Sequence, residues 1–214
     1  MTKFGVLGSG EVGQTLARGL REKGYDVRIA SRTPGKLADF SRATGIQAGT
    51  LGEVARWADS LVLAVLGRAA EDALSQAGRA NLEGKLVIDT TDPITDEEPV
   101  DGVLRFFTGP NSSLMERLQA AFPGARFVKA FNSVGADLMV DPQFGGIRPT
   151  MFYCGNDPDA KAAAARVIEQ LGWEAADMGT AVAARAIEPL AQLWCIPGFL
   201  EGSWAGHAFH LLRR

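Results

Sequence analysis

A run of glycines near the start of the chain has the spacing of a phosphate-binding loop. The loop follows apolar residues 3–7, which are typical of a buried strand, and it opens a segment in which Val12, Leu16 and Leu20 recur at helical spacing. In such a unit the first glycine permits a tight turn, the second lets a pyrophosphate approach the backbone, and the third lets helix and strand pack closely. We therefore predict that the loop binds a dinucleotide at the helix N-terminus. Its residues are Gly8, Ser9, Gly10, Glu11, Val12 and Gly13.

The end of the second predicted strand, residues 27–30, indicates which dinucleotide is bound. A ribose with a free 2′-hydroxyl usually meets a carboxylate there, but Asp26 lies at the opposite end of this strand. A guanidinium, two hydroxyls and an ammonium follow instead, and these groups suit a 2′-phosphate. We predict NADP(H) rather than NAD(H); the alternative is a solvated loop that caps the next helix. The residues are Ser31, Arg32, Thr33 and Lys36.

Strands and helices alternate along most of the chain, which favours a parallel sheet covered by helices on both faces. We predict an α/β, Rossmann-type, doubly wound and mostly parallel sheet, with a dinucleotide-binding domain at 1–131 and a small helical C-terminal lobe at 132–214. The predicted strands are 3–7, 27–30, 46–48, 60–66, 85–88, 126–131, 150–154 and 173–177. The predicted helices begin at Val12 and continue at 34–43, 51–57, 67–79, 112–122, 159–171 and most of 180–214.

Ligands of such sheets bind beyond the carboxyl ends of the strands. Residues 8–13, 31–36, 66–68 and 90–93 all follow predicted strands, so we expect them to form one site. Asp92 in this crevice has two interpretations, an acid–base group or a turn residue before Pro93, and we favour the turn.

Charge and composition exclude several classes of partner. The chain has 22 basic and 25 acidic residues and a net charge of −3, which gives no reason to expect nucleic acid or an anionic membrane surface. Neither a secretory leader nor an apolar stretch of the roughly 20 residues that span a bilayer is evident. We predict a cytoplasmic protein without a membrane partner, in which Cys154 and Cys195 are buried free thiols.

Few residues offer acid–base, metal or nucleophilic chemistry. His207 and His210 are the only histidines, and without a third ligand nearby they are read as helix-end residues, so we predict no metal site. The signatures of hydrolases, zinc proteases and P-loop proteins are absent, as is a Tyr-x-x-x-Lys relay. A dinucleotide protein of this kind suits hydride transfer to a partner that needs little proton chemistry, such as a flavin.

The C-terminal segment 180–214 is rich in large apolar residues and contains Pro189 and Pro197, which are expected to kink or split its helix. Three interpretations stay open: a lining for a flat ligand, a dimer interface, or a helix that completes its own core.

Seven motifs together resemble the NADP oxidoreductases that depend on the deazaflavin coenzyme F420, and the related cytosolic reductase domains of six-transmembrane ferric reductases. The resemblance extends over nearly the whole chain. The motifs lie at 8–13, 31–33, 89–93 (Asp-Thr-Thr-Asp-Pro), 129–133 (Lys-Ala-Phe-Asn-Ser), 154–157, 177–179 and 184–191.

The resemblance implies roles for individual residues. Ser9, Glu11 and Val12 would line the pyrophosphate loop, and Ser31, Arg32 and Lys36 would hold the 2′-phosphate. The nicotinamide would be flanked by Leu66, Gly67, Thr91, Asp92 and Pro93. A second, flavin-like ring would be positioned by Phe131, Asn132 and Ser133. Members of the family are typically homodimers through the C-terminal region.

The resulting hypothesis is a cytoplasmic NADP-dependent oxidoreductase that transfers hydride between NADPH and a flavin or deazaflavin such as coenzyme F420. One alternative is an NADPH-dependent reductase of a small carbonyl or imine, like the β-hydroxyacid dehydrogenases, which would need a proton donor. The other is an NADPH-binding redox sensor whose C-terminal lobe signals to a partner.

Overall fold

The computed structural model describes residues 2–204 and 206–214, and in them it shows one eight-stranded sheet. The strand order across the sheet is β3-β2-β1-β4-β5-β6-β7-β8. The strands are β1 (Lys3–Leu7), β2 (Asp26–Ala30), β3 (Gln47–Gly49), β4 (Ser60–Leu63), β5 (Leu86–Asp89), β6 (Arg126–Lys129), β7 (Thr150–Gly155) and β8 (Glu174–Asp177).

Helices cover both faces of the sheet. They are α1 (Glu11–Glu22), α2 (Ala38–Thr44), α3 (Leu51–Trp57), α4 (Ala70–Ala77), α5 (Arg79–Leu82), α6 (Leu114–Ala121), α7 (Pro158–Gln170), α8 (Ala184–Ile187) and α9 (Pro189–Glu201). None of the helices in the described part of the chain is long and apolar enough to cross a membrane.

The first six strands are parallel and have the order of a doubly wound dinucleotide-binding sheet. β7 pairs with β6 in the antiparallel direction, and β8 is parallel to β7. The predicted fold class is therefore confirmed. The division at 131/132 stays a prediction, and the strands after it continue the same sheet.

The central strands β1, β4 and β5 are mostly apolar because both faces of the sheet are covered there. In β4, Leu61 and Leu63 pack into the hydrophobic cluster on one face, whereas Val62 packs into the cluster on the other. The face that receives Val62 is covered mainly by α1 and α7, and Trp173 is its largest buried side chain. Packing on both faces holds the carboxyl ends of β1, β2, β4 and β5 in fixed positions.

Several predicted elements are shorter than expected. The strand predicted over 60–66 ends at Leu63, and the strand predicted over 126–131 ends at Lys129, because the chain turns at Phe131 with a φ of 60°. The helix predicted over 67–79 is a 3₁₀ turn followed by α4, and it ends at Gly78, whose φ is 91°. The expected helix over 34–43 likewise begins as a 3₁₀ turn and continues as α2.

The prediction that most of 180–214 is helical was wrong beyond Glu201. α9 ends at Gly202 in the left-handed conformation, and residues 202–204 and 206–214 form neither helix nor strand. Pro197 lies inside α9 without splitting it, and Pro189 occupies the first helical position, where a missing N–H is tolerated.

The two histidines are consequently not at the end of a helix. His207 Nε2 lies 2.8 Å from the carbonyl oxygen of Trp194, and the Trp194 indole donates to the carbonyl oxygen of His207 at 3.0 Å. His210 Nδ1 lies 3.1 Å from the carbonyl oxygen of Arg148. Within residues 2–204 and 206–214, no three histidine, cysteine or acidic side chains are arranged to hold a metal ion.

Candidate active site

A cleft of about 510 Å³ opens at the carboxyl edge of the sheet, and we call it the edge cleft. It brings together residues that the sequence placed in one site: Gly8, Ser9, Gly10, Glu11, Val12, Ser31, Arg32, Thr33, Lys36 and Leu66. Thr90, which the sequence also placed at this edge, lines the cleft as well. Sequence reasoning missed the rest of its lining: Ala30, Leu51, Ala64, Val65, Ala69, Asp72 and Ala73. The sequence did contain a pattern that could have indicated two of these residues: Ala69 and Ala73 recur at helical spacing in the segment after β4.

The three glycines of the first loop have different surroundings. Gly8 has a φ of 138°, and a Cβ there would overlap the carbonyl oxygen of Ala64. A Cβ on Gly13 would overlap the carbonyl oxygen of Gly8, so this glycine allows α1 to lie directly against β1. A Cβ on Gly10 would meet no protein atom within 4 Å, and its φ of −74° suits any residue. The fold therefore explains Gly8 and Gly13, whereas Gly10 leaves open space at the N-terminus of α1.

The basic end of the edge cleft lies after β2. Ser31 is buried, and its Oγ accepts a hydrogen bond of 3.1 Å from the backbone N–H of Thr33, which shapes the turn. Arg32 and Lys36 are exposed, and neither forms an ion pair with any other residue in the described ranges. Two cationic side chains thus lie in the lining without an ion-pair partner among the described residues, although Glu11 and Asp72 line the same cleft.

The opposite end of the edge cleft is formed by the chain after β4 and β5. Leu66 lines the cleft and exposes 62% of its surface, and Thr90, directly after β5, lines it as well. Behind Leu66, Gly67 packs so closely on the carbonyl oxygen of Asp92 that a Cβ would overlap it. Eight predicted site residues lie outside the lining: Gly13, Gly67, Thr91, Asp92, Pro93, Phe131, Asn132 and Ser133.

A buried ionic group lies behind these turns, and we call it the Lys129 network; it consists of Lys129, Asp89 and Glu188. Lys129 Nζ lies 2.7 Å from Asp89 Oδ2 and 3.1 Å from Glu188 Oε1, and it donates to the carbonyl oxygen of Thr91 at 2.5 Å. Burial alone would lower the pKa of Lys129, but the nearby carboxylates outweigh that effect and hold its pKa above the usual value. Lys129 is therefore charged although it is completely buried.

The two carboxylates of the Lys129 network make further hydrogen bonds. Glu188 accepts from the backbone N–H groups of Leu114 and Met115 at the start of α6, both at 2.9 Å. Asp89 Oδ1 accepts from the backbone N–H of Thr91 at 2.9 Å and from its hydroxyl at 2.7 Å. The network therefore connects the ends of β5 and β6 to α6 and to the junction of α8 and α9.

Next to this network, Asp92 and Asn132 form a hydrogen-bonded pair. Asn132 Nδ2 donates to Asp92 Oδ1 and to the carbonyl oxygen of Ile187, both at 3.0 Å. Burial raises the pKa of the Asp92 carboxyl well above its usual value; the opposing effects of Lys129 and Asn132 are smaller, and the charge of Glu188 adds to the increase. The turn before Pro93 thus also holds a carboxyl group that binds its proton more tightly than an ordinary aspartate does.

The predicted acceptor residues Phe131, Asn132 and Ser133 are all buried. They lead to Gly135, where a Cβ would lie 2.6 Å from the ring of Trp194. Trp194 belongs to an aromatic cluster of α9 and the tail: its ring centroid lies 5.1 Å from that of His207 and 6.3 Å from that of Trp204. The fourth ring of this aromatic cluster is Phe199, 4.9 Å from Trp204.

Both cysteines are free, as predicted, but they differ in exposure: Cys154 is buried, whereas Cys195 is only partly buried. Burial raises the pKa of Cys154 to about 12 and that of Cys195 to about 11. Neither thiol is ionised near neutral pH, so neither is an activated nucleophile.

Comparison with known proteins identifies the family. The sequence profile of the family "NADP oxidoreductase, coenzyme F420-dependent" matches residues 3–93. A structure from Arthrobacter sp. FB24, described as an F420-dependent NADP-reductase, is 32% identical, and the match covers 100% of both chains with a TM-score of 0.92. The chain belongs to this family. It is therefore an NADP-dependent oxidoreductase.

Two further relatives of this NADP oxidoreductase match over most of its length. Metalloreductase STEAP3 of Rattus norvegicus is 29% identical over 203 residues, covering 92% of this chain and 39% of the metalloreductase. The chain thus spans about two fifths of that relative. A reductive aminase from Aspergillus terreus, solved with NADPH, has the same fold at 20% identity and a TM-score of 0.67, over 94% of this chain and 63% of the aminase.

Proposed function

We propose that this NADP oxidoreductase transfers hydride between NADPH and a flavin-type ring, either coenzyme F420 or a flavin. The observation that carries the proposal is that the edge cleft, with its open Gly10 loop, ends near a turn that leads into the aromatic cluster. A dinucleotide fits the first part, and a planar ring can stack in the second. The similarity to the described F420-dependent NADP-reductase over the full length of both chains supports the same activity.

In this proposal the edge cleft holds NADP(H) along its whole length. The pyrophosphate lies over the loop from Gly8 to Gly13, where unpaired backbone N–H groups at the start of α1 favour an anion. Arg32 and Lys36 bind the 2′-phosphate, because both are exposed and lack a carboxylate partner in the described ranges. The nicotinamide then lies beside Leu66 and Thr90, in front of the turn formed by Thr91, Asp92 and Pro93.

The acceptor lies on the side of α9 and the tail in this proposal. Phe131, Asn132 and Ser133 are buried, so they shape this side from behind rather than by forming its surface. Phe199 and Trp204 expose 44% and 43% of their surfaces, so their rings are available to a flat ligand. Hydride transfer then depends on how closely the two rings are held together, and the protein contributes orientation and exclusion of water.

The test is stopped-flow measurement of NADPH oxidation with coenzyme F420, FMN, FAD and a panel of small carbonyls and imines added separately. Rapid oxidation with a flavin or deazaflavin, and none with the panel, supports the proposal and names the acceptor. Oxidation with a carbonyl or imine alone refutes it. Micromolar NADPH binding without turnover in any arm indicates a sensor instead. Trp204→Ala should slow transfer to the ring acceptor while leaving NADPH affinity unchanged, and Trp57→Ala is the matched control outside the edge cleft.

A second candidate, reduction of a small carbonyl or imine, is favoured by one observation. Such a reaction needs a proton donor, and the carboxyl group of Asp92, whose pKa is raised by burial, lies near the end of the edge cleft. The carbonyl and imine arms of the same experiment distinguish the two candidates.

We also propose a homodimer that forms through α9. This helix is apolar on both sides: Trp194 and Ala191 are buried, whereas Leu193 and Leu200 expose 55% and 61% of their surfaces. An exposed apolar helix face of this kind is typical of an interface. Leu200→Glu should convert a dimer to a monomer in analytical ultracentrifugation, and Ile147→Glu, an equally exposed position in a loop, should not. A wild-type monomer at high protein concentration would refute the dimer.

A further inference from the structure

We infer that Asp92 is the proton donor that accompanies hydride transfer, and that Asn132 positions its carboxyl group. The inference rests on the proposed function, because it supplies the proton that a reduced acceptor takes up with the hydride. It replaces the interpretation of Asp92 as a simple turn residue before Pro93.

The geometry places Asp92 directly behind the predicted nicotinamide position. Its carbonyl oxygen packs against Gly67, and Leu66, next in the chain, lines the edge cleft. Thr90, two residues before Asp92, also lines the edge cleft. Asp92 as a whole residue is only partly buried, although its carboxyl group lies deep enough for burial to be the largest effect on its pKa.

Asn132 holds one oxygen of this carboxyl group in a defined orientation. The amide nitrogen of Asn132 has two hydrogens, and they are used by Asp92 Oδ1 and by the carbonyl oxygen of Ile187. The carbonyl of Ile187 can only accept, so it determines which end of the Asn132 amide faces Asp92. No described residue hydrogen-bonds to Asp92 Oδ2, which leaves this oxygen as the site of the transferable proton.

Burial is the main reason why the pKa of Asp92 is raised, and the charges around it modify that effect. The carboxylates of Asp89 on β5 and of Glu188 before α9 oppose its ionisation, and Lys129 on β6 favours it. Cys195 on α9 also faces Asp92, but its thiol is neutral because burial raises its pKa to about 11. Burial of the carboxyl group is the largest effect, and the pKa of Asp92 is raised well above its usual value.

The proposed step balances in charge and atoms. Hydride leaves C4 of NADPH with its electron pair and forms a C–H or N–H bond on the acceptor ring, which gains negative charge. The O–H bond of Asp92 breaks as its proton moves to a nitrogen or oxygen of that ring. NADP⁺ and the fully reduced acceptor remain, and the Asp92 carboxylate then takes a proton from water.

Two substitutions of Asp92 separate proton donation from structural support. Asp92→Asn keeps an oxygen that accepts from Asn132 but cannot act as an acid, whereas Asp92→Ala removes the hydrogen bond as well. If Asp92 donates the proton, both variants should slow hydride transfer in the stopped-flow assay, by about 10²-fold or more. Asp159→Asn, an exposed aspartate of α7 at the opposite edge of the sheet, is the matched control and should match the wild type.

The pH profile tests the roles of both residues. Wild-type NADPH oxidation should fall as pH rises through the pKa of Asp92, and Asp92→Asn should lose this dependence. The hydrogen bond from Asn132 lowers the pKa of Asp92, so Asn132→Ala should shift the fall to higher pH rather than abolish it. A merely structural role of Asn132 would reduce the rate equally at every pH.

A third measurement does not depend on activity. Carbon-13 NMR of the aspartate carboxyl groups in the protein without NADP(H), compared with Asp92→Asn, identifies the Asp92 signal and its titration midpoint. We expect a midpoint well above the value of about 3.9 that is usual for aspartate. An ordinary midpoint would overturn the inference.

The outcomes of these experiments are distinguishable. If wild type transfers hydride and Asp92→Asn does so equally fast, the inference is wrong while the proposed function stands. Retained transfer in Asp92→Asn with loss in Asp92→Ala would likewise overturn it and leave a structural role. If the wild type transfers hydride to no flavin or deazaflavin, the proposed function fails and the donor step as stated fails with it, whatever the NMR midpoint.

Discussion

Replacing Gly10 with alanine should separate cofactor binding from folding. The backbone at Gly10 has a φ of −74° and a ψ of −177°, and a Cβ there would meet no protein atom within 4 Å. Alanine is a poorer helix N-cap than glycine, which costs about 1 kcal/mol. The smaller conformational entropy of the unfolded alanine chain offsets this by about 0.4–1 kcal/mol. The net change in unfolding free energy should stay within about 0.5 kcal/mol, or about 1–2 °C in Tm for a chain of this size.

NADPH binding should respond differently, because the added methyl group occupies the space that we assign to the pyrophosphate. Overpacking of this kind typically costs about 1–3 kcal/mol. That penalty corresponds to a loss of affinity of about 5- to 150-fold. Isothermal titration calorimetry with NADPH measures the affinity, and thermal unfolding of the same samples without cofactor measures the stability.

Gly13→Ala is the matched control, since its Cβ would overlap the backbone oxygen of Gly8. This variant should lose about 1–3 kcal/mol of stability, or about 2–12 °C in Tm. Wild-type NADPH affinity in Gly10→Ala would refute the assignment of the pyrophosphate to this loop. Destabilisation of Gly10→Ala as large as that of Gly13→Ala would refute the view that open space surrounds Gly10.

The other predictions concern charge and ionisation. Arg32→Ala should weaken NADPH binding far more than NADH binding in the same titration, and equal losses would exclude a role in holding the 2′-phosphate. Lys129→Met should lower the unfolding free energy in urea by about 3–5 kcal/mol, because it leaves buried carboxylates unpaired. Lys161→Met, which breaks a partly exposed ion pair with Asp177, should cost about 1 kcal/mol or less; similar losses in both would contradict the role of burial. Because the pKa of Asp92 is raised, the folded state binds the Asp92 proton more tightly than the unfolded state does. The stability of the wild type should therefore fall relative to that of Asp92→Asn as pH rises above about 4. Urea unfolding of both proteins across that pH range measures this difference, and equal pH dependence would mean that the pKa is ordinary.

The sheet and the glycine loop could be predicted because their signals are local. Mostly apolar runs of strand length mark β1, β4 and β5, and the glycines lie immediately after the first strand. The tail could not be predicted in the same way. Its large apolar residues suggested a longer helix, but Gly202 adopts a left-handed conformation that ends α9, and the residues beyond it pack through individual contacts such as that between His207 and Trp194.

The Lys129 network was the main feature that sequence reasoning missed. Asp89 ends an otherwise apolar strand and Lys129 follows two buried apolar residues of β6, which is a signal that a buried charge needs a partner. The partners are far apart in sequence, and one sequence alone does not show which strands are neighbours. Glu188 is harder still to assign, since it bonds the start of α6 from a position 74 residues away from Leu114.

The position of Glu188 also has a consequence for biosynthesis. While the ribosome is still making the C-terminal part, Lys129 and the first amides of α6 lack the carboxylate that they share in the finished protein. Water must remain at these groups until Glu188 emerges, because an unpaired buried charge is costly. The nascent first half can therefore pair its strands early, but it reaches its dry, fully packed form only after α8 has docked. A chain that stops short of Glu188 should consequently stay hydrated at the very edge where the cofactor binds.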